Sequence, residues 1–391
     1  MCYNSCIDLS RPDCEASIGA FFCSSPARDQ GNASKRGGSV SACNVENRTI
    51  FLHDNLEILR GLNSRCIDLI YLDPPFNKNK KFTAPIGSSA EGAEFSDIFR
   101  EEDVKDEWLQ TIKEDQPELY QYLNGIKGVG KPYNFAYLAY MAIRLIECER
   151  ILKTTGSIYL HCDPTMSHYL KTMMDCIFGE GHFQNEVAWC YKSGGASPKR
   201  RFSKKHDVIL WYSKTNSYLF NPQQEKSYNR NFAPYNFAGV KEYQDEMGWY
   251  TLVGMKDYWN IDMVGRTSGE RTGYPTQKPL VLLERIINAS SNESDIVLDP
   301  FCGCATTCVA VERLNRKWVG IDVSIKAYEL VKERLLKERE LVAASSEERR
   351  LASSEVVLKT DPRSEPMWAW TIARRSTCTS FRTRSMRTST R

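Results

Sequence analysis

Two short stretches of the chain combine acidic, proline, aromatic and glycine residues in arrangements suited to reaction chemistry. The first is "DPPF", Asp73 to Phe76, directly after the apolar run "CIDLIYL". Asp73 offers a carboxylate acceptor and Pro74 a carbonyl acceptor, and the successive prolines Pro74 and Pro75 fix the backbone so that both can converge on one donor group. Phe76 adds a flat apolar face. An exocyclic amino group on a nucleobase matches all three, because it brings two N–H donors and a ring that stacks. Its nitrogen lone pair is normally delocalised into the ring, and two acceptors holding the hydrogens favour a pyramidal nitrogen whose lone pair can attack. A tetrapeptide of this form, with either Phe or Tyr last, arises by chance in well under ~1% of chains this long, although taken alone it also reads as a proline-rich turn that stops a strand.

The second stretch is "LDPFCGCATT", Leu298 to Thr307, between the apolar run "DIVLD" and the helical pattern "CATTCVAVERL". Gly303 permits a tight turn and the small Ala305 a close approach. Thr306 and Thr307 would present hydroxyls and free N–H groups at a helix start, suited to polar or anionic ligand groups. Asp322 ends the next strand-like run about 20 residues on, where an acid typically holds ribose hydroxyls. Taken alone, this unit serves NAD as well as other nucleotide cofactors, although the usual three-glycine dinucleotide fingerprint is missing.

These residues need a frame to hold them. The run Ile67 to Leu72 reads as a strand buried on both faces. "NFAYLAYMAIRLIECERILKTTG" follows with helical spacing and Gly156 as its terminator, then "SIYLHCD" as a strand, "MSHYLKTMMDCIFG" as a helix, and "NEVAWCY" and "DVILWYS" as strands. "PLVLLERIINAS" gives a helix and "KWVGIDVS" a last strand. The alternation predicts an α/β domain with a mostly parallel sheet. Residues 46–215 and 271–340 form its two halves, with an insertion at 78–131 and an aperiodic, Asn- and Tyr-rich recognition region at 216–270. Residues 1–45 and 341–391 are expected to be disordered extensions, the latter ending in "ARRSTCTSFRTRSMRTSTR", which cannot bury enough apolar surface to fold alone.

Composition narrows the setting. The 391 residues are 41% hydrophobic and 26% charged, enough for a sizeable core. The net charge of +3 is too mild to define a partner, so any basic surface must be local. One such cluster, "KSGGASPKRRFSKKHD", places Lys192, Lys199, Arg200, Arg201, Lys204 and Lys205 on a Gly- and Ser-bearing loop between two strands, where contact with nucleic-acid phosphates is expected. No run of about 18 apolar residues predicts a membrane span. Asp8, Asp13 and Glu15 precede the first apolar patch, unlike a secretory signal. The 14 scattered cysteines read as reduced thiols of an intracellular, cytoplasmic protein. His161, His168 and His182 are expected to be structural or solvent-facing. Cys302, Cys304 and Cys308 match no standard zinc spacing, and no metal is expected.

"DPPF", "DPFCGCATT" and "GYPTQKP", Gly273 to Pro279, together resemble the beta-class amino-methyltransferases, which modify DNA at exocyclic nitrogens with S-adenosylmethionine. The likeness spans residues 47–336, with the catalytic motif ahead of the cofactor motif. It implies a Rossmann-like methyltransferase fold: a mostly parallel seven-stranded sheet flanked by helices, in circularly permuted motif order, with a target-recognition insertion. It implies further that Asp73, Pro74, Pro75 and Phe76 hold the target base. Asp299, Phe301 and Gly303 would line the methionine end of the cofactor, with Ala305, Thr306 and Thr307 completing its turn. Asp322 would hold the ribose, Asp54 of "FLHDNLEIL" would lie near the cofactor's adenine, and Thr276 and Lys278 would approach its carboxylate. In the family this form of the catalytic motif is commoner among adenine-N6 enzymes, whereas cytosine-N4 enzymes often begin it with Ser, so Asp73 favours adenine. Cytosine-N4 transfer and a catalytically inactive DNA-binding relative are the alternatives. The implied partner is double-stranded DNA with the target base turned out of the stack. The family also admits homodimers and a companion restriction subunit in restriction-modification systems. Ala305 departs from the glycine usual at its position and is strained there if its φ is positive.

Overall fold

The computed structural model describes residues 43–192, 198–345 and 357–359. In chain order β1 (Thr49–Leu52) leads to α1 (Asn55–Gly61) and β2 (Ile67–Leu72). A hairpin of β3 (Lys80–Thr83) and β4 (Glu94–Asp97), with α2 (Asp106–Asp115) and α3 (Pro117–Gly128), occupies the first insertion. There follow α4 (Pro132–Ile151), β5 (Leu152–Cys162), α5 (Ser167–Phe178), β6 (Phe183–Cys190) and β7 (His206–Ser213). In the second insertion β8 (Gln224–Tyr228), β9 (Glu242–Asp245) and β10 (Gly248–Gly254) make a small antiparallel sheet. The chain returns through β11 (Tyr258–Asn260), α6 (Leu280–Ser290), β12 (Ile296–Asp299), α7 (Thr306–Arg313), β13 (Lys317–Asp322), α8 (Ile325–Ser345) and β14 (Val357–Lys359).

The main sheet runs β11-β6-β7-β5-β2-β12-β13-β1-β14. Only β7 is antiparallel to its neighbours. Six of the seven strands from β6 to β1 are those read from the sequence, β1 completes the seven that the family resemblance implies, and a three-residue strand extends each edge to make nine. The addition of β14 corrects the reading of residues 341–391 as a wholly disordered tail. Val357, Leu358 and Lys359 pair in parallel with Thr49, Ile50 and Phe51, covering N–H and C=O groups that β1 would otherwise present as a bare edge. Composition hid this strand because its few apolar residues lie in a charged segment. Residues 341–345 end α8, and residues 1–42, 346–356 and 360–391 lie outside the described residues.

Both faces of the sheet are packed. Ile70 and Leu72 of β2 join a core with α1, α4 and α5, whereas Leu69 and Tyr71 join a second core with α6, α7 and α8. That is the alternation expected of a strand buried on both sides, each large side chain contributing roughly 1.5–3 kcal/mol of burial. Gly156 does not end a helix. It lies inside β5, where an added Cβ would sit 2.7 Å from the Asp68 carbonyl, so glycine is required for β5 to approach β2.

β12 lies between β2 and β13, with Leu298 in register with Ile70 on one side and Val319 on the other. The segment that comes late in sequence is therefore central in space. The carboxyl ends of β2, β12, β13 and β1 share one edge of the sheet, where open α/β folds place their ligand sites.

Candidate active site

Cofactor-motif residues gather at three adjacent strand ends. Asp299 closes β12, is buried, and accepts the Thr307 hydroxyl at 2.5 Å and the Phe301 N–H at 3.0 Å. Burial pushes its carboxyl up to about 7, against the pull of those two donors. Asp322 closes β13 and accepts the Gly303 N–H at 2.9 Å and the Ser324 N–H at 2.8 Å, and burial raises it to about 6. Leu52 of β1 pairs with Asp322, which brings Asp54 to the same corner. Asp54 caps α1 through the Leu56 N–H at 2.8 Å and receives Arg144 on both oxygens at 3.0 Å. Asn55 fastens the corner to the turn by donating to the Pro300 carbonyl at 2.8 Å.

The turn answers the question posed by Ala305. Its φ of 55° and ψ of 41° are left-handed, and Gly303 has φ 49°. A side chain at such a position costs ~1–2 kcal/mol relative to glycine. An added Cβ on Gly303 would stand 3.1 Å from the Tyr274 ring, so glycine lets "GYPTQKP" lie against the turn. The two threonines differ from expectation. Thr307 is buried and donates to Asp299, while Thr306 is buried and its hydroxyl accepts from Arg334 at 3.1 Å. Their hydroxyls brace the turn from behind rather than facing a ligand.

The catalytic motif is held from several directions. Asp73, just beyond β2, accepts a hydrogen bond from the Lys278 ammonium, and its other oxygen lies 3.3 Å from His161 Nδ1. Lys278 thus meets Asp73 rather than an approaching cofactor carboxylate. It is almost fully desolvated and needs a counter-charge, and the Thr276 carbonyl accepts a second bond from it at 3.1 Å. Thr276 contributes through that carbonyl, from a backbone with φ 61°. The Phe76 ring lies 5.3 Å from the His161 ring and 5.5 Å from the Lys278 ammonium.

Three supporting residues, Asp97, Asp163 and Asp207, were not singled out from the sequence, and a fourth, His161, was given no part in the site. Asp97, at the end of β4 and 1% exposed, accepts the N–H groups of Phe76 at 3.2 Å, Asn77 at 2.6 Å and Lys78 at 3.0 Å. Burial raises its carboxyl, and the three N–H groups oppose that rise. Asp163 pairs with Lys78 beyond β5. His161, expected to be structural or solvent-facing, is fully buried against Asp73, with the Tyr71 hydroxyl at 3.1 Å from Nδ1 and Asp207 at 3.6 Å from Nε2. Although burial pushes Asp207 up, His161, Lys278 and Tyr191 hold its carboxyl below the usual range. Asp163 and Asp207 stand where strands end, which is a faint signal in the sequence; Asp97 lies in an aperiodic insertion and gives none.

The basic loop leaves β6 and rejoins β7 at the paired residues Cys190 and His206, on the edge that carries Asp73. Lys192, Lys199, Arg200, Arg201 and Lys204 are exposed and Lys205 half-buried, and residues 193–197 lie outside the described residues. Among the described residues no helix is long and apolar enough to cross a membrane, and no group of three His, Cys, Asp or Glu side chains could hold a metal.

A strand-end carboxylate pair flanking a glycine turn, beside an Asp-Pro-Pro-Phe loop, has the form of a nucleotide-cofactor site with an acceptor-lined loop next to it. A family model described as DNA methylase, covering N6 and N4 methyltransferases, matches residues 67–333. The chain belongs to that family and is a beta-class DNA amino-methyltransferase that depends on S-adenosylmethionine. It is 28% identical over 281 residues to the type II methyltransferase M.HpaI of Haemophilus parainfluenzae, covering 72% of this chain and 71% of that one. It is 26% identical over 285 residues to the DNA adenine methyltransferase YhdJ of Escherichia coli, covering 71% and 79%. Among solved structures, the cytosine-N4-specific PvuII DNA methyltransferase superposes with a TM-score of 0.44 at 17% identity, covering 76% and 91%.

The chain's own donors and acceptors fit the cofactor. Asp322 has one backbone N–H on each oxygen and keeps lone pairs for ribose hydroxyls. Asp299 is a buried carboxylate whose raised proton affinity marks a charge lacking a cationic neighbour. A cationic, ribose-bearing group supplies what both lack.

Proposed function

We propose that the chain methylates the N6 amino group of adenine in double-stranded DNA. The observation that carries this reading is the juxtaposition of β2 and β12: Leu298 pairs with Ile70, so Asp73 and Asp299 leave neighbouring parallel strands spaced ~4.8 Å apart. Asp rather than Ser at the head of the catalytic motif supports adenine, as does the similarity to a DNA adenine methyltransferase.

Each residue then has a task. The Asp73 carboxylate and Pro74 carbonyl accept the two amino N–H groups, Pro75 keeps the loop in shape, and Phe76 stacks on the base. Asp97 fixes that loop through three backbone N–H groups. Asp322 holds ribose hydroxyls, Asp54 lies toward the cofactor's adenine, and Asp299, Phe301, Gly303 and Ala305 shape the methionine end. S-adenosylmethionine, when bound, supplies an electrophilic methyl on a sulfonium. As the methyl leaves the sulfonium for the nitrogen, the methylated nitrogen gives up its surplus proton, which the Asp73 carboxylate holding that amino group can accept. Holding nucleophile and methyl in line is the main contribution of such a site. The base must leave the duplex stack to reach the strand ends, at a cost of a few kcal/mol. Lys192, Lys199, Arg200, Arg201, Lys204 and Lys205 would grip the phosphates around it.

Incubation with labelled cofactor and mixed-sequence DNA, followed by nucleoside analysis, tests the reading. Labelled N6-methyladenine is expected from the wild type and not from Asp73→Ala. N4-methylcytosine in its place would overturn the base assignment. Absence of both, or full activity of Asp73→Ala, would overturn the mechanism.

A further inference from the structure

Phe202 stands in the middle of the basic loop and is 97% exposed. Phe51 in β1 and Phe135 in α4, by contrast, are fully buried. A ring turned into water forgoes that burial, and here it does so among exposed cations beside the catalytic motif. On either side Lys199, Arg200, Arg201 and Lys204 are exposed as well. The feet of this loop are firmly held. The Tyr191 N–H donates to the Lys205 carbonyl at 3.0 Å, the Tyr191 hydroxyl to Asp207 at 3.3 Å, and the Lys192 N–H to Asp262 at 2.9 Å.

The loop also starts beside the catalytic motif. Asp207, at its foot, lies 3.6 Å from His161, which lies 3.3 Å from Asp73. The five residue-to-residue steps from Phe202 to Asp207 span at most ~18 Å. That places the ring within reach of a duplex whose target base occupies the Asp73 pocket, the major groove being ~12 Å wide.

We propose that Phe202 is a wedge, entering the base stack beside the target as that base leaves it. This rests on the reading of duplex DNA as substrate. A departing base exposes the faces of its neighbours, and an aromatic ring recovers part of the lost stacking because every base has a π-face. The surrounding cations fit this occupant: they attract the phosphates on either side of the gap and would repel the same loop of a second copy.

The experiment compares two substrates that carry the methylated site, mapped beforehand by sequencing wild-type product DNA. In one the target base is paired; in the other it faces an abasic position and is already loosened. The readout is the ratio of kcat/KM on the paired substrate to that on the unpaired one. Phe202→Ala is expected to lower this ratio about 10- to 100-fold, the range of one aromatic stack on a base, and Phe202→Trp to restore most of it. An unchanged ratio, or an equal loss on both substrates, overturns the wedge. Phe202→Leu guards against misfolding, since it keeps an apolar side chain and should lower the ratio less than alanine does. If the wild type yields no methylated DNA to map, the DNA reading fails and the wedge falls with it; if a site is mapped and the ratio does not move, the wedge alone is wrong.

Discussion

Asp299 sets stability against function in a way that can be measured. Its ordinary carboxyl value is 3.8 and burial raises it to about 7. The folded protein therefore binds a proton that the unfolded chain has released, throughout the window between those values. Below it both states are protonated and the residue is neutral to stability. As pH rises through the window stability falls, and above about 7 the full penalty is present. At ~1.4 kcal/mol per pH unit that penalty is about 4 kcal/mol. Asparagine keeps the local bonds without the charge: its carbonyl accepts the Phe301 N–H, and its amide donates to Thr307 once that hydroxyl turns. Asp299→Asn should thus stabilise the cofactor-free protein at pH 8, raising Tm by about 8 °C at ~2 °C per kcal/mol. At pH 5 most of the gain should vanish. Asp322, raised to about 6, leaves a smaller slope of the same sign in the variant. The same substitution should weaken S-adenosylmethionine binding at least ~10-fold, because a neutral amide no longer matches a cation. Thermal melts from pH 5 to 8 and isothermal titration test both halves. A variant that melts below wild type at pH 8, or by a pH-independent margin, would refute the assignment of a buried, unrelieved charge.

Two further outcomes follow from the geometry. Ala305→Gly relieves ~1–2 kcal/mol of left-handed strain, and against this stand a lost buried methyl of ~0.8 kcal/mol and ~0.4–1 kcal/mol of unfolded-chain entropy. The net should lie within ~1 kcal/mol of zero, whereas Ala310→Gly, equally buried but inside α7, should cost ~2 kcal/mol; equal costs in denaturant melts would contradict the strain at residue 305. Asp97→Ala removes the acceptor of three backbone N–H groups and should lower stability by about 2–4 kcal/mol and kcat/KM at least ~10-fold, with cofactor affinity preserved; a parallel loss of cofactor affinity would show that the two loops are not separately held.

The sequence made some of this site legible because a buried strand writes itself in one dimension. Ile67 to Leu72 is apolar on both faces, the residues that stop it are the chemical ones, and the same holds for Asp299 and Asp322 at the ends of β12 and β13. What escaped depends on partners far away in the chain. Lys278 and Asp73 are 205 positions apart, and Asp97 reaches Phe76 across 21 positions of aperiodic insertion. His161 sits in "SIYLHCD" among core residues, so its burial was readable but its contact with Asp73 was not. Thr306 and Thr307 have the residue types of a ligand-binding helix start, yet their side chains turn inward to Arg334 and Asp299. Gly156 misled for a related reason: a glycine after a helical pattern suggests a cap, and only the packing of β5 on the Asp68 carbonyl shows the actual need.

The permuted order has a physical consequence at Lys278. Cutting the fold between β13 and β1 leaves every strand neighbour in place, so β12 still inserts beside β2 although its residues arrive more than half the chain later. The catalytic loop and the glycine turn then belong to distant segments whose relative position rests on sheet pairing and on whatever ties the loops above it. Among the described contacts, one such tie is made by the Lys278 ammonium, just ahead of Pro279 and α6, which meets Asp73 in a nearly dry environment. A buried ion pair adds little net stability, because desolvation offsets its attraction, but removing one partner leaves an uncompensated charge and costs several kcal/mol. The pair therefore acts as a registry device: an arrangement that separates the two segments strands Lys278 or Asp73 without its partner, so the arrangement that brings the catalytic carboxylate beside the cofactor turn is selected over its neighbours.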